Sequence, residues 1–273
     1  MKINFLILAH NLPDQFKLLV SCLQGNENEI FAHIDIKENQ EKYFSDAIHF
    51  TSKRWDIKWG RIEMVYATQH LIETAYELNS QADYYILLSG QDLPLKPISE
   101  LANFLSNNIP FSFIHSKPLE NEWIDAIPRL SRFHFGTKFA QKLKAKILNL
   151  IIKKRTLPLN YTAYGGSQWW CLHANHIQYI INFKNMSELM KFFSSSLVPD
   201  EHFFQTILEN SNLSDSIIHS NLHFTRWLEN SNSPKTLTIL DFEDIINSDN
   251  MFARKFNIDI DREVINKIVI SFE

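Results

Sequence analysis

Pro199-Asp200-Glu201 sets two carboxyl groups side by side just ahead of the apolar residues Phe203, Phe204, Ile207 and Leu208. Proline fixes its backbone and lacks an N–H that a first helical turn leaves unpaired, so a helix is expected from Pro199 to about Leu208. A carboxylate fixed at such a point can take the proton of an attacking hydroxyl. The other reading is that both acids only complement the positive end of the helix dipole. Upstream, Gly165-Gly166-Ser167-Gln168-Trp169-Trp170 joins two glycines to two tryptophans. Indole faces cover a sugar ring and glycine permits close backbone approach to a ligand, with core packing of the tryptophans as the alternative. Near the C-terminus, Lys235 and the Arg254-Lys255 pair between Phe252 and Phe256 offer cations of the kind that clamp a diphosphate. Taken singly, each lysine reads as a surface residue.

These residues need elements to hold them, and the first half of the chain alternates strands with helices. Ile3 to Ala9, Glu29 to Ile34, Tyr84 to Ser89 and Phe111 to His115 read as buried strands. Pro13 to Leu23, Arg61 to about Asn79 and a stretch capped by Ser99 read as helices, the second turning Ile62, Val65, Tyr66, Ile72, Ala75 and Tyr76 inward. Strands separated by helices imply crossovers and a largely parallel sheet, whose ligands bind beyond the carboxyl ends of the strands. That edge would gather His10, Asp35 and Asp92. Leu222 to Trp227 and Lys235 to Leu240 read as further strands around a Ser/Asn-rich turn at Asn230 to Pro234, followed by a short helix from Asp241 to Ser248.

Composition narrows the class. The chain has 273 residues, 45% hydrophobic and 13% aromatic, enough for a substantial core. Cys22 and Cys171 cannot make a disulfide framework. No apolar run reaches the roughly 18 residues of a membrane span, and Ile3 to Ala9 is too short for a signal sequence. There is no Gly-x-Gly-x-x-Gly and no phosphate-loop motif, which removes support for a dinucleotide fold or a phosphate-loop ATPase. No nucleic-acid partner is expected at a net charge of −4. That charge is unevenly spread, for ten Lys and Arg and no acid lie between Asp125 and Glu188. Phe139, Leu143, Ile147, Leu150 and Ile151 recur there at helical spacing, so Lys138 to about Lys154 reads as a basic amphipathic helix. Such a helix lies on an anionic membrane, faces an anionic acceptor, or is a solvated face packed on the domain.

Taken in order, Ile7-Leu8-Ala9-His10, His33-Ile34-Asp35, Val65-Tyr66-Ala67, Leu87 to Leu95, Gly166 to Trp170, Pro199-Asp200-Glu201 and Phe252 to Phe256 resemble the core-2/I-branching β-1,6-N-acetylglucosaminyltransferases and their peptide O-xylosyltransferase relatives. The resemblance spans about residues 3–260. It implies a GT-A-like α/β fold with a mostly parallel, Rossmann-type sheet flanked by helices. One domain over 1–273 is expected, with a nucleotide-binding half at about 1–115 and an acceptor and diphosphate-binding half at about 116–273.

The implied activity is inverting transfer of a sugar, N-acetylglucosamine above others, from a UDP-sugar to a hydroxyl of a glycan or lipid-linked glycan in surface polysaccharide or lipooligosaccharide synthesis. Glu201 matches the family's general base, and Lys235 and Lys255, with Arg254, its grip on the diphosphate. Ala9, His10 and Asp35 match the nucleoside site; Ser167, Gln168, Trp169 and Trp170, with Asp200, match the acceptor side. Lys235 stands where animal members carry arginine, which keeps the charge and loses the planar fork. Most GT-A enzymes hold a metal on Asp-x-Asp after a strand. Here that place offers only Asp92, and the literal Asp259-Ile260-Asp261 reads as a helix cap, so no catalytic metal or other cofactor is expected. Animal members also carry an anchor and disulfides, which implies that this is a bacterial cytoplasmic member, peripheral at the inner membrane face through 138–155. A carboxylate-dependent glycoside hydrolase and a non-catalytic carbohydrate-binding protein are the alternatives.

Overall fold

A computed structural model describes residues 1–25, 27–136, 138–152, 154–229, 231 and 233–272. Lys153 of the basic block and Asn230 and Asn232 of the expected turn lie outside the described residues.

The strands are β1 (Ile3–Ala9), β2 (Glu29–Ile34), β3 (Ile48–Phe50), β4 (Tyr84–Ser89), β5 (Leu93–Pro94), β6 (Ser112–Pro118), β7 (Tyr164–His173), β8 (Ile217–Ile218), β9 (His223–Thr225) and β10 (Phe252–Arg254). They form a seven-stranded sheet in the order β3-β2-β1-β4-β7-β6-β8 and a three-stranded sheet in the order β5-β10-β9. In the large sheet β7 runs antiparallel to both β4 and β6, and every other pairing is parallel. This is the mixed α/β architecture that the alternating pattern predicts.

The continuous apolar reading of β1 has a direct cause, because successive side chains leave opposite faces of a strand and both faces are covered. Ile3, Phe5 and Ile7 enter one core cluster with Phe16, Leu19 and Leu23 of helix Pro13–Leu23. Leu6 and Leu8 enter the other with Val65, Leu71 and Ile72 of helix Glu63–Leu78. Helices Ala174–Ile181, Met186–Phe193 and Phe203–Glu209 extend that second layer.

Register decides what meets at the functional edge. Leu8 pairs with Ser89, Ala9 with Ile34, and Leu87 with Trp170, so β1, β2 and β4 end beside the first half of β7. A Cβ on Gly90 would touch that of Ala9 at 3.0 Å, a measure of how closely the strand ends approach. β5 follows β4 after three residues and pairs with β10, which brings Arg254 to the same edge.

Three local expectations are corrected. Lys235 to Leu240 is not a strand: Lys235 N–H donates to Arg226 O and Leu237 N–H to Lys255 O, isolated bonds, and the chain then turns into a one-turn helix at Ile239–Asp241. The helix expected from Pro199 is broken, with one turn at Pro199–Glu201 separated from Phe203–Glu209 at His202, whose φ of −131° is not helical. Pro97 rather than Ser99 occupies the cap position of helix Ile98–Ser106. Asp261 does cap a helix, accepting from Val264 N–H at 3.1 Å. Among the described residues no helix is long and apolar enough to cross a membrane.

Candidate active site

At the ends of β1 and β2, Asp35 continues the ladder by donating its N–H to Ala9 O at 2.9 Å. Its buried carboxylate accepts from the N–H groups of Lys37 at 2.9 Å and Ile57 at 3.1 Å, with the Lys37 ammonium 3.3 Å away. Asp35 therefore anchors the loop after β3, and Arg54 ties that loop down further through the carbonyls of Ile34, Asp35 and Glu38. His10 projects, exposed, from the neighbouring strand end. Desolvation lowers its pKa, Asp35 acting against this.

Next along the edge, the Arg254 guanidinium lies over the Trp169 ring, 4.0 Å from its centroid, and its Nε stands 3.5 Å from Asp92 Oδ1. Asp92 accepts from Ser89 N–H at 2.8 Å, with His223 Nε2 3.5 Å from the same carboxylate. Nε and Nη1 of Arg254 are buried and, among the described residues, have no hydrogen-bond partner. Donors left unspent in a buried cation are costly unless something anionic completes them. Burial lowers the pKa of Arg254, and burial together with the Arg254 charge lowers that of Lys255, whose ammonium meets the Ser233 hydroxyl at 3.5 Å and, among the described residues, no other hydrogen-bond partner. Lys235 differs. Its ammonium is held by both oxygens of Asp241 at 2.7 and 2.8 Å, and Arg226 shares the same carboxylate at 2.7 Å. The expected diphosphate cation at Lys235 is thus held by Asp241, whereas Arg254, although beside Asp92, keeps unspent N–H donors and Lys255 has no carboxylate within 4 Å among the described residues.

Glu201 occupies the one-turn helix beside β7. Arg129 Nη1 donates to its Oε2 at 2.6 Å, both side chains being about 30% exposed. Burial raises the Glu201 pKa, partly offset by Arg129, which brings a base nearer to working pH. Arg129 also covers the Trp123 ring at 4.8 Å, and the His202 ring lies on that indole at 5.5 Å. His202 is buried, donates from Nδ1 to Tyr164 O at 3.2 Å and is pushed down to about 3 by burial and then Arg129, so it is neutral. Gly165 admits it: a Cβ there would stand 2.3 Å from His202 Nδ1.

Asp200 is pushed up to about 7 by burial and then by Glu201. An unfolded aspartate ionises near about 3.9, so between there and about 7 only the folded chain keeps this proton and stability falls as pH rises. Asp200→Asn removes that cost. Its melting temperature relative to the parent is expected to improve between about pH 5 and pH 7.5. His202 acts with the opposite sign but is common to both proteins, so the difference isolates Asp200. A constant difference across that range would show that Asp200 does not titrate there.

The other acceptor candidates separate. Ser167 accepts at Oγ from Asn221 Nδ2 at 2.8 Å and at its carbonyl from Gln205 Nε2 at 2.6 Å, and Gln168 keeps a buried Nε2 without a partner. Trp169 faces the edge under Arg254. Trp170 is corrected: it is fully buried against Phe204, rings at 6.1 Å and 64°, because alternation along β7 turns it into the core. The glycines make room for protein neighbours, His202 and the His115 carbonyl, rather than for a ligand. Arg129, Trp123, Asp241 and His223 were not singled out by sequence. Arg129 was one of ten cations in the basic block, and Trp123 carries no local signal. Among the described residues no cluster of three or more His, Cys, Asp or Glu could hold a metal.

The chain is similar to xylosyltransferase 2 of Rattus norvegicus, 24% identical over 292 residues that cover 97% of this chain and 33% of that protein. Similarity to xylosyltransferase oxt of Drosophila pseudoobscura pseudoobscura is 26% over 232 residues, 78% of this chain and 24% of that protein. The chain therefore spans about a third or less of the length of these curated relatives. Among solved structures, apo mouse xyloside xylosyltransferase 1 aligns over 93% of this chain and 97% of its own at 9% identity, with a TM-score of 0.38. The family model for the Core-2/I-branching enzyme matches residues 3–248, and this chain belongs to that family.

Proposed function

We propose that the protein is an inverting, metal-independent glycosyltransferase that moves a sugar from a UDP-sugar to a hydroxyl of a glycan acceptor in surface polysaccharide or lipooligosaccharide synthesis. The observation that carries the reading is the placement against one strand, β7, of a raised-pKa, partly exposed Glu201 and of Arg254, which keeps unspent donors and is followed by Lys255. In the step, the acceptor oxygen attacks the anomeric carbon opposite the leaving group. Its proton passes to Glu201, the bond from the anomeric carbon to the diphosphate oxygen breaks, and UDP leaves with the electron pair. Arg254 and Lys255 stabilise the charge that develops on UDP, the work a metal does in other enzymes. Asp92, the one acid after β4, already faces Arg254 and His223.

On this reading the ends of β1 and β2 receive the nucleoside, with His10 exposed there and Asp35 holding the surrounding loop, in one domain whose 1–115 half is nucleotide-binding. The acceptor lies toward Trp123, Trp169 and Glu201. N-acetylglucosamine remains the proposed donor sugar; xylose is the second reading, favoured by the names of the relatives. Transfer assays with UDP-N-acetylglucosamine and UDP-xylose decide between them.

Thermal melting with UDP tests the donor site without knowing the acceptor. A ligand present at about a hundredfold its Kd stabilises the native state by about 2.7 kcal/mol, a shift on the order of 5 °C for a chain of this size. The shift is expected equally in chelator and in manganese, and to be lost in Arg254→Ala. A shift only with manganese would sink the metal-independent mechanism, and none with any nucleotide would sink the donor site.

A further inference from the structure

The basic helix found at Phe139–Ile151 carries no buried residue. At 100° per residue, Phe139, Leu143, Ile147, Leu150 and Ile151 share an arc of about 120°. The opposite side bears Gln141, Ala145, Leu148 and Asn149, and these are the half-buried positions. The helix is thus mounted with this mixed side on the protein and its apolar stripe in water: Phe139 is 83% exposed, Leu150 82% and Ile151 72%. It is attached firmly. Asn149 exchanges two hydrogen bonds with the backbone of Phe133, and beyond the helix Arg155 N–H donates to Ser131 O while its guanidinium binds the carbonyls of Leu130, Arg132 and Ser195.

An apolar stripe of this size facing water calls for an occupant. The charges beside it say which kind. Lys142 and Lys146 flank one margin of the arc and Lys144 the other, Lys138 stands at the helix start, all are exposed, and no acid lies between Asp125 and Glu188. We infer that this outward-facing helix docks the protein on an anionic lipid bilayer, its apolar residues entering the acyl boundary while the lysines meet lipid phosphates. The same short segment that fixes the helix carries Arg129, the partner of Glu201. The helix would therefore seat the site against a membrane surface, and an acceptor held on that surface follows if the transfer reading is right.

Flotation with vesicles of phosphatidylcholine and phosphatidylglycerol tests the docking without any assay of transfer. The protein is expected to float with vesicles containing about a third anionic lipid, to bind pure phosphatidylcholine at least about tenfold less, and to be released by high salt. Each lysine is worth about fivefold in affinity, so Lys142→Gln/Lys144→Gln/Lys146→Gln should lose on the order of a hundredfold. Leu143→Glu/Leu150→Glu should abolish flotation. Both variants change exposed residues, so their melting temperatures and UDP-induced shifts are expected to match the parent, which keeps this test separate from that of the donor site. No flotation with anionic vesicles at low salt would overturn the inference, as would variants that float like the parent. A concentration-dependent dimer that Leu143→Glu/Leu150→Glu dissolves would assign the face to a second copy of the chain instead.

Discussion

Glu201→Gln is expected to lower turnover by about 10²- to 10⁴-fold while leaving the fold and UDP binding in place. The substitution keeps size and shape and removes the ability to accept a proton. Arg129 can still donate to the amide oxygen, and the pair is partly exposed, so little stability depends on the charge itself. The parent's rate should carry an acid limb above the ordinary glutamate range near about 4.3, because burial raises the Glu201 pKa more than Arg129 lowers it. The base works only when deprotonated, so activity rises with pH through that limb. Gln at 201 should flatten it. A melting curve matching the parent's, with activity reduced at least about a hundredfold, would separate a base from a structural acid. Retention of more than about a tenth of the activity would remove Glu201 from the role and leave the neighbouring Asp200 as the carboxylate to test.

Much of this site was legible because it lies where regular elements end. β1, β2 and β4 are runs of apolar residues bounded by polar ones, and a parallel sheet has one carboxyl edge, so His10, Asp35 and Asp92 could be brought together before any coordinates. What was not legible depends on partners distant in the chain or on the direction of a face. Glu201 and Arg129 are 72 positions apart with no periodic link between them. Lys235 read as a surface lysine or a diphosphate cation, and the turn that returns Asp241 to it leaves no pattern in the sequence. Trp169 and Trp170 are neighbours of identical type, yet alternation along β7 sends one to the edge and the other to the core. Periodicity in 138–154 specified a helix with an apolar side correctly. It could not say which way that side would turn, and the usual assumption that it faces the core is reversed here.

Gly166→Ala is expected to destabilise the protein by about 3 kcal/mol or more, a fall in melting temperature on the order of 10 °C. A Cβ on Gly166 would stand 1.8 Å from the His115 carbonyl oxygen and 2.6 Å from its carbon. These are backbone atoms of the neighbouring strand, so no rotamer change relieves the overlap. The close approach arises from the irregular register between β6 and β7, where the pairing jumps between Ile114 and Ser116 and leaves His115 unmatched over Gly166. Gly25→Ala is the control. Its added carbon would meet the Asn28 side chain at 3.0 Å, the end of a group that can move, and a change within about 1 kcal/mol is expected. The damage at 166 should reach the chemistry, because β7 also supplies Gly165, on which His202 packs beside Glu201, and Trp169, on which Arg254 rests. Below its lowered melting temperature the variant should therefore show weaker UDP binding and slower turnover together. Melting within about 2 °C of the parent would mean that β6 and β7 part readily. Lost stability with unchanged kinetics would mean that Trp169 and Gly165 keep their places without the ribbon that carries them.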